Sequence, residues 1–144
     1  MIEVSHLNEY LSTLKDVGGL SIPSKTILLN EGNVADKLYL IRKGCMRLFF
    51  YYEGKDITFQ FFFEGDFVAS FDSLYKRQPS LFFLESIEPT EVFVIKRDDF
   101  YALIETVPSL KKYYEEKLIE DGMKRVLAYG IACYRKECEV KILL

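Results

Sequence analysis

The chain has 144 residues, is 49% hydrophobic and 28% charged, and carries a net charge of −3. That length suits one ordinary domain with a real core, and 12 Phe and 10 Tyr argue against disorder. The acidic balance speaks against a nucleic-acid surface, and no apolar run approaches the ~20 residues of a membrane span. No basic-then-apolar leader opens the sequence. Cys45, Cys133 and Cys138 are odd in number and lack metal-ligand spacing, which points to reduced thiols in a cytoplasmic protein.

Val4, Leu7, Leu11 and Leu14 fall at helical spacing, and Gly18-Gly19 stops the pattern, so a short N-terminal helix is expected over residues 4 to 17. His6, the sole histidine, sits on it as a surface or packing residue. From Lys25 the pattern changes to short β-rich runs divided by Gly32, Gly44, Gly54 and Gly65, spaced 12, 10 and 11 residues apart. Spacing of that size marks an antiparallel sandwich or barrel. Strands are expected at Thr26 to Leu29, Leu38 to Ile41, Met46 to Tyr52 and Ile57 to Phe63, with a hairpin turn at Glu53-Gly54. The aromatics at 49 to 52 and 59 to 63 are too continuous for in-out alternation, which predicts cover on both faces of those strands.

The stretch Phe63 to Glu85, FEGDFVASFDSLYKRQPSLFFLE, is the expected ligand site. It turns at Glu64-Gly65-Asp66, passes the small corner Ala69-Ser70 and makes one amphipathic helical turn with Phe71, Leu74 and Tyr75. A polar loop from Lys76 to Pro79 leads back into Leu81-Phe82-Phe83-Leu84. The first N–H groups of such a turn have no partner inside it and attract anions or hydroxyls. The candidate ligand-binding residues are Val68, Ala69, Ser70, Phe71, Ser73, Pro79, Ser80 and Leu81.

Two more strands are expected at Leu81 to Ile87 and Val92 to Lys96. Asp98 then reads as the cap of a helix carrying Phe100, Leu103, Ile104 and Val107 and ended by Pro108. Ser109 reads as the cap of a longer helix. Along it Ile119, Met123, Val126, Gly130 and Cys133 follow steps of four, three, four and three, a seam for packing against another helix. Leu118, Ile119, Met123, Val126 and Cys133 are the candidate dimer interface; packing on the chain's own β domain is the rival account of the seam.

Glu31-Gly32, Asp36-Lys37-Leu38-Tyr39-Leu40-Ile41-Arg42-Lys43-Gly44, Phe63-Glu64-Gly65-Asp66-Phe67 and Val94-Ile95-Lys96-Arg97-Asp98-Asp99-Phe100 occur in an order and spacing that resemble the cyclic-nucleotide-binding domain. More narrowly, the chain resembles the sensor half of the Crp/Fnr superfamily of bacterial transcription regulators, over roughly residues 10 to 130. The resemblance implies a mainly β fold. An antiparallel β jelly roll with an N-terminal helix would occupy residues 1–108, and a long C-terminal dimerisation helix with a tail residues 109–144. In cyclic-nucleotide-binding members a Gly-Glu pair follows the Gly-Asp-Phe turn, and an Arg closes the cassette. The Glu accepts a ribose hydroxyl and the Arg pairs with the cyclic phosphate. Here Ala69-Ser70 stand in the first place and Ser80 in the second. A serine cannot supply charge-assisted, bidentate pairing to phosphate. Ser70-Phe71 with Pro79-Ser80 instead resembles a divergent branch found in Bacteroidetes-like bacteria.

Regulators of this superfamily continue into a helix-turn-helix, for which the residues after the long helix leave no room. Either the chain belongs to a longer regulator that would bind DNA, or the protein acts without such a domain. An enzyme is not expected: metal-dependent cupins share the jelly roll but need a His and carboxylate cluster, and no Ser, Cys or Thr has a His as base. No cofactor is expected; an iron–sulfur centre needs about four clustered cysteines, and His6 alone does not support haem. The expected function is effector sensing without a response to cyclic AMP, with a homodimer and a small-molecule effector as partners and no membrane. A ligand-free dimeric interaction module on the same scaffold is the alternative.

Overall fold

The computed structural model describes residues 18–116, 118 and 119. The helix expected over residues 4 to 17 and the seam residues Met123, Val126 and Cys133 lie outside the described residues. Among the described residues there are eight strands: β1 (Gly18–Ile22), β2 (Ile27–Leu29), β3 (Lys37–Lys43), β4 (Met46–Tyr52), β5 (Lys55–Phe62), β6 (Phe67–Val68), β7 (Phe83–Ser86) and β8 (Thr90–Lys96). Helix α1 (Phe71–Lys76) separates β6 from β7, and α2 (Arg97–Thr106) follows β8. The strands form two antiparallel four-stranded sheets, ordered β1-β8-β3-β6 and β2-β7-β4-β5. The chain passes repeatedly from one sheet to the other, the jelly-roll arrangement.

Local chemistry accounts for the turns. Glu53 and Gly54 have φ of 51° and 76°, as a two-residue hairpin between β4 and β5 demands. At Gly44 both conformation and space require glycine. Its φ is +111°, and a Cβ there would stand 2.5 Å from Thr90 Oγ1 and 2.8 Å from Thr90 Cα.

The core has two layers. Between the sheets pack Ile22, Tyr39, Ile41, Met46, Leu48, Phe62, Val68, Phe82, Leu84 and Val92. On the other side of the β3 sheet, Leu38, Leu40, Phe67, Phe71, Leu74 and Ile95 meet Phe100, Leu103 and Ile104 of α2, with Leu110 and Tyr114 beyond it. Alternate residues of β3 therefore serve the two layers, and the run Leu38 to Ile41 is buried throughout.

This places double cover on a different strand from the one expected. The helices lie over β3, whereas Tyr51, Phe61 and Phe63 on or beside β4 and β5 are about half exposed, at 56%, 50% and 57%. A register shift in the β4–β5 pair leaves Phe59 as an extra residue between the partners of Leu48 and Phe49, which breaks the alternation within β5. Phe59 then stacks inward on Phe82 at 4.7 Å.

A strand precedes those expected from Lys25: β1 starts at Gly18-Gly19 and pairs along its whole length with β8. Two boundaries also differ. Asp98 is not a cap: Lys96 precedes the first turn, Asp98 lies within it, and no side chain caps α2. The next helical segment begins at residue 108, so Ser109 lies inside it. Proline suits that first helical position because its missing N–H would be unpaired there anyway.

Candidate functional site

The expected cassette is built by β6, α1 and the loop returning to β7. Val68 enters the inter-sheet core, while Ala69 and Phe71 enter the core under the helices. Ser70, Ser73 and Ser80 are buried polar residues, whereas Leu81 is 46% exposed. Pro79 forms an isolated bridge with Val34 of the β2–β3 loop. The structure therefore brings Ser70 and Ser80 together, turns Ser73 toward Ala35 and Gln78, and leaves Pro79 and Leu81 at the rim.

The hydroxyls are bonded inside the protein. Ser80 Oγ stands 2.9 Å from Ser70 Oγ and 2.8 Å from the Phe82 carbonyl, and accepts from the Phe82 N–H at 3.1 Å. With a single proton Ser80 donates either to Ser70 or to the carbonyl, so Ser70 can donate back. Ser73 Oγ accepts the Ala35 N–H at 2.9 Å and donates to the Gln78 carbonyl. The main chain of Ser80 is clamped as well: Gly32 N–H donates to its carbonyl, and its own N–H donates to the Asn33 carbonyl, both at 2.8 Å.

What remains beside Ser70 is a cavity of about 20 Å³ bordered by Leu28, Leu29, Ala35, Tyr39, Ala69 and Leu84. That is room for about one water. Burial first, and then the Asp36 charge, push the Tyr39 phenol up to about 12, so it stays neutral at physiological pH.

Neither nearby arginine enters the cassette. Arg47, on the outer face of the β4 sheet, donates to both carboxylate oxygens of Asp56 at 2.7 Å and to Glu85 at 3.0 Å. Its hydrogen bond holds the Asp56 carboxyl below its usual range. Arg77 closes α1 in a left-handed conformation, φ 55°, and borders an outer groove with Asp98 3.8 Å away. Arg97 is a residue that sequence reasoning missed. Its Nε donates to the Leu74 carbonyl at 2.7 Å, satisfying the C-terminus of α1 from the start of α2. A cation after a strand gives no hint of which carbonyl it will reach.

The eight strands and the helical turn between β6 and β7 define a jelly-roll domain. The Cyclic nucleotide-binding domain family model matches residues 20–107. The chain belongs to that family. No curated protein matches the sequence. Among solved structures it is similar to the catabolite activator protein of Thermus thermophilus, at 20% identity and a TM-score of 0.73 over 92% of this chain and 61% of that one. It is similar also to the CO-dependent transcription factor CooA of Carboxydothermus hydrogenoformans, at 20% identity and TM-score 0.69, over 96% and 61% of the two chains. The c-di-GMP-responsive regulator CLP of Xanthomonas campestris matches at 17% identity and TM-score 0.63, over 99% and 66%. The chain thus spans about three fifths of the length of the first two. No helix among the described residues is long and apolar enough to cross a membrane.

Proposed function

We propose that this chain is the effector-sensing part of a Crp/Fnr-type transcription regulator, acting in the cytoplasm, and that its effector is not cyclic AMP. The Ser70–Ser80 pair carries this reading. These residues stand where the resemblance calls for the ribose acceptor and the phosphate-pairing arginine, and they bond each other at 2.9 Å. A cyclic phosphate there would lack a charge-assisted partner worth ~1.5–3 kcal/mol, a tenfold to hundredfold loss in affinity. Val68, Ala69, Ser70, Phe71, Ser73, Pro79, Ser80 and Leu81 are the proposed ligand-binding residues. Their hydroxyl and apolar lining suits a neutral or weakly anionic, partly apolar metabolite. Admitting one means parting α1 from the β2–β3 loop, which breaks the Ser73–Ala35 bond and the Val34–Pro79 bridge. Movement of α1 is then the signal the domain passes on. Isothermal calorimetry tests the central claim: neither cyclic AMP nor cyclic GMP should bind up to ~1 mM. Micromolar affinity for either would overturn it.

The one-water cavity and the paired hydroxyls favour a second reading, a ligand-free dimeric module that uses the jelly roll as a scaffold. Thermal-shift assays against metabolite pools separate the two, because only a sensor gains stability from a pool component.

A further inference from the structure

On β5, Gln60 stands directly opposite Leu48 of β4. Directly opposed residues of an antiparallel pair point to the same face, and Leu48 is packed between the sheets. Gln60 is therefore aimed at the inter-sheet space, and its Oε1 is buried without a hydrogen-bond partner among the described residues. The hydroxyls of Ser70, Ser73, Ser80, Ser86 and Thr90, residues that are also buried, are all bonded. A carbonyl oxygen is a strong acceptor, and burying it unpaired opposes folding. Water does not readily relieve it, because a buried water needs several polar partners. The side chains around Gln60 on that face, Leu48, Phe59 and Phe62, offer none.

The surroundings are aromatic. The extra residue Phe59 turns inward beside Gln60 and stacks on Phe82 at 4.7 Å, with 27° between the rings, while Phe50 meets Phe82 edge-on at 5.9 Å. β5 is the edge of its sheet, and Phe50, Phe59 and Gln60 are half-buried. Phe82 links this wall to the cassette, since its N–H donates to Ser80 Oγ and its carbonyl lies 2.8 Å from the same hydroxyl. The sheet register supplies a second link. Leu84, which borders the cavity beside Ser70, is opposite Leu48, and Leu48 is opposite Gln60. That row crosses two strand spacings, about 10 Å, so a fused-ring ligand reaches from the cassette to the amide.

We propose that Gln60 is a specificity-determining contact for the effector. Its Oε1 accepts a hydrogen bond from an N–H or O–H donor on a planar, largely apolar ligand whose ring lies against Phe50, Phe59 and Phe82. This rests on the sensor reading and narrows it, because among neutral metabolites it selects planar ones with a donor at one end. Pairing of the orphaned oxygen favours the donor-bearing ligand and disfavours analogues that leave it unpaired.

The probes are indole, whose ring N–H is a donor, and N-methylindole, which lacks it. Each is titrated into the full isotope-labelled chain and followed by NMR. Indole should shift the Gln60 side-chain amide and the Phe59 main-chain signal, and bind about threefold to tenfold tighter than N-methylindole. Gln60→Met keeps an unbranched side chain without the amide. It should bind both probes alike, a double-mutant cycle that isolates the one hydrogen bond. It should also melt no lower than the parent, because the unpaired oxygen is gone. The proposal is overturned if neither probe binds below ~10 mM. It is overturned equally if the parent does not prefer indole, or if Gln60→Met keeps that preference or melts below the parent. Failure here leaves the sensor reading standing, since that is decided by the cyclic nucleotides and the metabolite pools.

Discussion

Single residues carry the closure of the cassette. Ser73 ties α1 both to the Ala35 N–H and to the Gln78 carbonyl from a buried position. Ser73→Ala should leave two main-chain groups short of a partner and cost ~1–3 kcal/mol, read as a lower urea midpoint. A loss under about 0.5 kcal/mol would mean that water replaces the hydroxyl without penalty. On the outer face, the Arg47 hydrogen bond lowers the Asp56 carboxyl in the folded chain. A depressed folded-state value contributes stability that is present above the unfolded carboxylate value of about 3.9 and lost as pH falls through the folded one. Asp56→Asn should therefore be less stable than the parent at pH 7, with the difference vanishing in strong acid. A stability gap that stayed constant down to about pH 2 would contradict the pairing.

At the scale of elements, two devices hold the sheets and α1 in place. The turn at Gly44 runs so close to Thr90 that any side chain meets main-chain atoms. Gly44→Ala should cost at least ~2 kcal/mol, because the positive φ and the overlap both oppose it. Gly54, also at positive φ, has open space for 4 Å around the point where a Cβ would stand, so Gly54→Ala should cost clearly less. Equal losses in thermal melts of the two variants would show that conformation alone, and not the approach of Thr90, governs the Gly44 turn. Arg97 acts on α1 from a different element. Replacing it with Met removes the donor to the Leu74 carbonyl while keeping an unbranched side chain. Faster hydrogen exchange across α1, with β4 and β5 unchanged, is the expected outcome; uniform exchange would place the capping role elsewhere.

For the whole molecule the open question is assembly. The proposed interface comprises Leu118, Ile119, Met123, Val126 and Cys133, of which only the first two are among the described residues. Leu118 packs in part against the helix-side core, and Ile119 is 66% exposed. Adjacent residues of the segment thus divide between the chain's own core and an open face. We expect a homodimer by light scattering at tens of micromolar, and monomers when Met123 and Val126 are both replaced by Asp, since unpaired charge would be buried between helices. A monomeric parent protein would end the dimer proposal.

Much of the architecture could be read from neighbours in the chain. The glycines at 32, 44, 54 and 65 all adopt positive φ, and β4 spans the predicted residues Met46 to Tyr52. Turn chemistry and strand periodicity depend on a few adjacent residues, so a linear reading captures them. The sequence likewise marked the serines at 70 and 80 for the proposed ligand site. Their mutual bond was not so marked, nor was the clamp from Gly32 and Asn33, the capping of α1 by Arg97 or the pairing of Gly18-Gly19 with β8. Each joins segments far apart in sequence, and only sheet order and register bring them together. Register likewise sets Lys37 opposite Lys96 and turns successive residues of β3 toward different cores. Those partners were decided by the packing of helices against one sheet and of that sheet against the other, which no local pattern encodes.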